Sequence, residues 1–314
     1  MIKVIKRRRS LSSRLLAVIF RCVPRTDIRE ARNYKRALAK SLAPYVLPKY
    51  VRSRYGFREL DGFADTFVIG PEAGKEQMTI LYLHGGAYWA QPLLLHFRGL
   101  KELPGILNAR LILPVYPKAP SYTALDVHKM IMERYIYLIG SKEIPAESIV
   151  LMGDSAGGGL ALAFLQALRD NHLPMPREAV LLSPWLDVAN SNPAMKPIQR
   201  YDPLLNIESV TFQGKIYAGD LQTNHPLVSP LYGDLSGLPP VTVYIGTYDI
   251  LYADMEEYER IAQEQGLDVT IYVYEKMNHC FQGYPIPEGK DARERIIRYL
   301  QKSIQIAEMV HTLL

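Results

Sequence analysis

The chain has 314 residues, 48% hydrophobic and 22% charged, with 37 Lys and Arg against 32 Asp and Glu. That length suits one large domain or two small ones, and the near-average composition excludes collagen-like, coiled-coil and disordered classes. Two cysteines, Cys22 and Cys280, make neither a disulfide framework nor a four-ligand zinc site, and no apolar run approaches the roughly 20 residues of a bilayer span.

The charge is unevenly spread. Residues 1–60 carry 17 Lys and Arg against 3 Asp and Glu, while the remainder carries 20 against 29. The arm opens with Lys3, Lys6, Arg7, Arg8, Arg9 and Arg14, followed by an apolar stretch at 15–20. Six apolar residues before Arg21 are too few for a secretory signal, and no small-residue cleavage site follows. Together with the cysteine count this gives the expectation of a cytoplasmic protein. Leu11, Leu15, Val18 and Ile19 share one helical face, with Arg14 and Arg21 off it, so the spacing predicts an amphipathic helix. A second helix is expected from an Asp27 N-cap to about Leu42, with a basic face of Arg29, Arg32, Lys35, Arg36 and Lys40. Three uses are open to this arm: a lid whose apolar face packs on the body, a contact with anionic lipid, or nucleic-acid binding. The last lacks any accompanying recognition motif.

From residue 55 the chain alternates β-rich runs with helix-length stretches. Strands are expected at 55–60, 63–69, 78–83, 110–113, 148–152, 179–182, 241–245 and 269–274, the first two as an antiparallel start. Helices are expected at 122–139, 155–169, 252–265 and 292–310. Continuous apolar runs such as Ile149-Val150-Leu151-Met152 suit strands covered on both faces, which implies a mostly parallel sheet wrapped by helices. Between 185 and 238 there is no good strand, only Pro, Asn and Asp residues and one helix near 207–217. This reads as an insertion over the carboxyl edge of the sheet, where such folds place their sites.

The chemistry concentrates on that edge. Gly153-Asp154-Ser155-Ala156-Gly157 joins a buried strand to an Ala- and Leu-rich helix. Such a turn exposes a strained Ser155 at a helix N-terminus, and Ala156 would offer an N–H to an oxyanion. Leu83-His84-Gly85-Gly86-Ala87 ends another strand in small residues, making the N–H groups of Gly85, Gly86 and Ala87 further candidate donors. His84 itself reads as structural. A nucleophilic serine needs a base and an acid that orients it. His279 is the histidine in a loop directly after a late strand, and Asp249 follows the strand at 241–245. The rival acids are Asp254, inside the next helix, and Glu275, at a strand end. The order Ser155, Asp249, His279 is that of an α/β-hydrolase triad. No His, Cys and carboxylate cluster or dinucleotide glycine motif accompanies it, so neither metal nor cofactor is expected.

These segments, with Tyr116-Pro117-Lys118-Ala119-Pro120, Ser183-Pro184-Trp185 and Asn278-His279-Cys280-Phe281, resemble the hormone-sensitive-lipase family of α/β-hydrolases, of the microbial carboxylesterase type. The resemblance runs from about Phe57 to the C-terminus. It implies an eight-stranded sheet, a helical cap built from the N-terminal helices and an insertion, and oxyanion donors at Gly86 and Ala87. Ala87 stands where the family has a third Gly, and Cys280 where it has the Gly of His-Gly-Phe. Cys280 is expected to be a packing residue.

The resulting expectation is a cap segment at 1–54, a catalytic domain at 55–184 and 239–314, and a cap insertion at 185–238. The function expected is that of a serine carboxylesterase for short-chain esters. Alternatives are a lipase or O-deacetylase of the same mechanism and a non-catalytic ligand receptor. Partners are a small-molecule ester, no nucleic acid, peripheral contact with an anionic membrane as one use of the arm, and either no second copy or one.

Overall fold

Alternation along the strands decides which layer each residue joins. In the strand Met78–Leu83, Met78, Ile80 and Tyr82 face one apolar cluster, and Leu81 and Leu83 face the other. The same division holds at Ile149–Asp154, where Val150 and Met152 face the first cluster and Leu151 the second. Side chains that point alternately to two faces must be covered on both, which accounts for a core lying above and below a single sheet.

The computed structural model describes residues 1–6, 8–23, 27–72 and 74–313. Arg7, one of the expected basic residues of the arm, lies outside them. In chain order the elements are β1 (Ile2–Ile5), α1 (Leu11–Cys22), α2 (Ala31–Leu42), α3 (Lys49–Tyr55), β2 (Arg58–Leu60), β3 (Phe63–Ile69) and β4 (Met78–Leu83). Then come α4 (Leu94–Leu100), α5 (Leu103–Leu107), β5 (Ala109–Pro114), α6 (Ala124–Ile139), β6 (Ile149–Asp154), α7 (Ala156–Asp170) and β7 (Glu178–Leu182). The chain ends with α8 (Met195–Gln199), α9 (Ile207–Ala218), β8 (Val241–Gly246), α10 (Met255–Glu264), β9 (Val269–Tyr274) and α11 (Pro287–Leu313).

The sheet order is β1-β9-β8-β7-β6-β4-β5-β3-β2. Pairing is parallel from β1 to β5 across that order and antiparallel at β5–β3 and β3–β2. The antiparallel start is as expected, but the sheet has nine strands among the described residues, not eight. The additional one is β1, from the basic arm, which pairs Ile2–Ile5 with Ile271–Tyr274. Tyr55 ends a helix and does not start a strand. Residues of α6, α7 and α10 pack on one face of the sheet, and those of α3, α4, α5 and α11 on the other. Among the described residues no helix is long and apolar enough to cross a membrane.

The arm differs from expectation in two further ways. The N-cap of α2 is Glu30, not Asp27, whose carboxylate instead accepts from Arg29 N at 3.0 Å. The face of α1 picked out by periodicity points outward, while Leu16 and Phe20 turn to the body. Leu11, Leu15, Val18 and Ile19 are all exposed, and Ser13 and Ala17 are buried.

Candidate active site

The carboxyl ends of β6, β8 and β9 converge, and each carries one polar side chain into the same place. After β6 the chain turns sharply into α7. Ser155 occupies that turn with φ 53° and ψ −122°, a strained conformation held by Ser155 N donating to Leu182 O at 2.8 Å. The turn is possible because two glycines give it room. A Cβ on Gly157 would lie 2.0 Å from Leu83 O, and one on Gly153 would lie 2.3 Å from Gly157 O. Ser155 Oγ lies 2.9 Å from His279 Nε2, and His279 Nδ1 lies 2.8 Å from Asp249 Oδ2. All three residues are buried, Asp249 completely. The structure therefore brings together the three residues singled out on chemical grounds.

The electrostatics follow from that chain. Burial favours the neutral imidazole, but the Asp249 carboxylate outweighs it, so the His279 pKa lies well above its ordinary 6.5. A carboxylate bonded to Nδ1–H leaves Nε2 facing Ser155 as the acceptor. Of the rival acids, Asp254 is buried elsewhere and pushed up to about 7 by burial and by Asp187. Glu275 lines a separate basic cleft with Lys6, Arg8 and Lys276.

The donor loop differs from expectation at one residue. Gly85 N donates to Asp154 Oδ1 at 2.8 Å, so its N–H is already committed. Among the described residues, the N–H groups of Gly86, Ala87 and Ala156 have no protein acceptor, and Gly86 and Ala87 line the cleft with Ser155 and His279. Ala87 holds its place at φ 50°, a left-handed conformation that costs an L-residue roughly 1–2 kcal/mol. His84 is structural, as expected. It is fully buried, with Nδ1 2.7 Å from Gly85 O and its ring stacked on Tyr116.

Asp154, Tyr82, His96 and Asp202 also belong to the site, and sequence reasoning did not place them there. Asp154 also accepts from Tyr82 Oη at 2.8 Å, and its Oδ2 lies 3.2 Å from His96 Nε2. Burial opposes ionisation of Asp154, yet His96 and these hydrogen bonds hold its pKa down at about 2. Asp202, from the insertion, is buried beside Asp249. It accepts from Leu204 N, Leu205 N and Ile250 N, and burial plus the Asp249 charge push it up to about 6. Cys280, next to the base in sequence, also lies against it in space. Its Sγ lies 3.4 Å from His279 Nε2 and 3.8 Å from Asp154 Oδ2, and burial pushes the thiol up to about 11, so it stays protonated.

A cleft of about 540 Å³ opens above Ser155, walled by Phe20 and Val23 of the arm and by Leu204, Leu205 and Val210 of the insertion. Beside it, behind Cys280, an apolar recess of about 90 Å³ is closed by Tyr82, Leu100, Leu103, Met152 and Ile296. Among the described residues no three His, Cys, Asp or Glu side chains converge to hold a metal ion.

Comparison with known proteins adds what geometry alone leaves open. Residues 80–283 match a family model described as the alpha/beta hydrolase fold. An acetyl-hydrolase of Streptomyces hygroscopicus is 33% identical over 232 residues, covering 71% of this chain and 75% of that protein. An esterase of Acinetobacter venetianus is 32% identical over 234 residues, covering 74% and 77%. Among solved structures, an esterase of the bacterial hormone-sensitive lipase family superposes with a TM-score of 0.78. It is 29% identical, and the match covers 95% of this chain and 100% of that one.

Proposed function

The chain belongs to the hormone-sensitive-lipase family of α/β-hydrolases and is a carboxylic ester hydrolase, and from that premise we propose that it cleaves short-chain esters through Ser155, His279 and Asp249. The observation that carries this reading is the hydrogen-bonded chain from Ser155 Oγ through His279 to Asp249, at 2.9 and 2.8 Å.

In the proposed mechanism His279 Nε2 takes the Ser155 proton as Oγ attacks the ester carbonyl carbon. Asp249 fixes the tautomer and stabilises the imidazolium that forms. The carbonyl oxygen becomes an oxyanion facing the N–H groups of Gly86, Ala87 and Ala156. When the C–O bond breaks, His279 returns the proton to the departing alkoxide, and the alcohol leaves. Water then attacks the acyl-enzyme by the same route, releasing the acid and restoring Ser155. Asp154 acts as a positioning residue. By holding Gly85 N it fixes the loop that presents Gly86 and Ala87.

The similarity to an acetyl-hydrolase, 33% identical over 232 residues, supports the restriction to short acyl groups. Segments 8–54 and 185–238 serve as the cap in this account, since both wall the cleft and since β1 takes residues 2–5 into the sheet. Rates on p-nitrophenyl acetate, butyrate, decanoate and palmitate test the chain-length assignment, with acetate or butyrate turned over fastest. A maximum at palmitate would refute it.

A further inference from the structure

An amphipathic helix on a protein in water ordinarily turns its apolar face to the body. In α1 only part of the apolar surface does so. Its inward face carries Ser13, Leu16, Ala17 and Phe20, with Leu16 packed on the body and the Phe20 ring 5.1 Å from that of Tyr284. Polar contacts pin it: Ser10 N and Oγ donate to Glu288 at 2.6 and 2.8 Å, and Arg9, just before the helix, donates to Asn278 at 3.0 Å. The outward face is an unbroken apolar strip. Leu11 is 81% exposed, Leu15 62%, Val18 52% and Ile19 47%, and Val23 continues the strip at 56%. Arg14 and Arg21 flank it, both exposed.

The arm's own charge has one sign. Residues 1–26 contain eight Lys and Arg and neither Asp nor Glu. Next to α1 a shallow cleft gathers Lys6, Arg8, Arg14 and Lys276 about a single carboxylate, Glu275. The body beyond residue 60 is net acidic, with 29 Asp and Glu against 20 Lys and Arg. A strip of leucine, valine and isoleucine bordered by cations supplies the two signals that hold a helix in the headgroup layer of an anionic bilayer. The acidic body would be repelled by the same surface, which fixes the orientation.

We propose that the face of α1 bearing Leu11, Leu15, Val18 and Ile19 is a docking surface for an anionic lipid bilayer, with the flanking Lys and Arg side chains at the headgroups. The C-terminal end of the same helix forms the mouth of the cleft through Phe20 and Val23. Leu93, also on the cleft wall, is 59% exposed, and its neighbour Leu94 52%. Docking therefore brings the mouth to the lipid, giving esters dissolved in the bilayer a path to Ser155. That consequence rests on the esterase reading; the docking itself does not.

The test is co-sedimentation of the full chain with vesicles of phosphatidylcholine alone and with about 30% phosphatidylglycerol, at low and high salt. The parent should bind the anionic vesicles at least tenfold better than the neutral ones, and several-fold less tightly at high salt. The double variant Leu15→Glu/Ile19→Glu, at exposed positions outside the cleft, should lose at least tenfold in binding while keeping the parent rate on p-nitrophenyl acetate. Arg14→Gln/Arg21→Gln should weaken binding to anionic vesicles alone. Equal binding to both vesicle types, or parent-like binding by the Glu variant, would overturn the proposal. So would sedimentation velocity showing that the strip joins two copies of the chain and that vesicle binding is absent. Binding is scored without turnover, so a failure here leaves the esterase reading intact.

Discussion

Replacing Asp202 by Asn should change stability in opposite directions at acid and alkaline pH. Asp202 is 2% exposed, and burial together with the Asp249 charge raises its pKa from 3.8 to about 6. At 1.36 kcal/mol per pH unit, keeping it ionised at neutral pH costs the folded state about 3 kcal/mol. The sign is fixed by linkage. A carboxyl whose folded pKa is raised favours the protonated form in the folded state, so its cost builds up between about pH 4 and 6 and is complete above that. Asn carries no charge and so no such cost. Its amide, however, offers one carbonyl oxygen where the carboxylate accepts from Leu204 N and Leu205 N on one side and Ile250 N on the other. Losing one buried acceptor costs about 1–3 kcal/mol at every pH. About 1 kcal/mol of the charge cost is already present at pH 4.5, so Asp202→Asn should be equal to the parent or up to about 2 kcal/mol less stable there, and equal to it or up to about 2 kcal/mol more stable near pH 8. With roughly 2 °C in Tm per kcal/mol for a chain of this size, the difference between variant and parent should swing by about 4 °C between those pH values. Differential scanning fluorimetry of both proteins in matched buffers measures it. A Tm difference that stays constant with pH would refute the reasoning, because it would mean that Asp202 bears no buried charge.

Two further predictions concern buried groups that titrate. Catalytic efficiency should fall as pH drops through the His279 pKa, which Asp249 holds above 6.5. Asp249→Asn should move that limb to lower pH and lower kcat by about 10⁴-fold, the size of effect seen when a triad acid is removed; an unmoved limb in the pH–rate profile would contradict it. Lys118 is 1% exposed, donates to Tyr116 O and lies 3.7 Å from the Tyr116 ring centroid, and burial lowers its pKa well below 10.5. A depressed lysine pKa costs stability at neutral pH, and the cost fades as pH rises towards 10.5. Lys118→Met should therefore raise Tm at pH 7 and lose that advantage near pH 10; a lower Tm at pH 7 would count against it.

Much of the fold was legible because burial leaves a mark on composition. The strands at 63–69, 78–83 and 269–274 have the observed bounds, being apolar runs closed by turn residues. Ser155, Asp249 and His279 were legible because each sits where a strand ends. β1 was not, because Ile2-Lys3-Val4-Ile5 has no pattern a four-residue edge strand must show, and its pairing is to the backbone of β9. Periodicity found the apolar face of α1 but carries no information about direction. Leu16 and Phe20 packing on the body, and Ser10 bonding Glu288 278 residues away, decided that.

The donor at Gly85 shows a similar limit. A string of small residues signals free N–H groups, but only the fold reveals that Asp154 takes one of them. Asp202 and His96 carried no motif, and their place beside the site depends on where α4 and the insertion fold. The substitutions at Ala87 and Cys280 are explained in part. Both positions have φ near 50°, which is the physical reason for glycine there. Nothing in the structure explains what the Cys280 thiol gains by standing there.

Ser155 is the nucleophile of the proposed mechanism, and a fluorophosphonate ester, with the adduct mapped by peptide mass spectrometry, tests that role. One phosphonyl group per chain is expected, on Ser155, with esterase activity lost in proportion and no adduct on Ser155→Ala. Stoichiometric inactivation with the phosphonyl group on Cys280 or any other residue would contradict it.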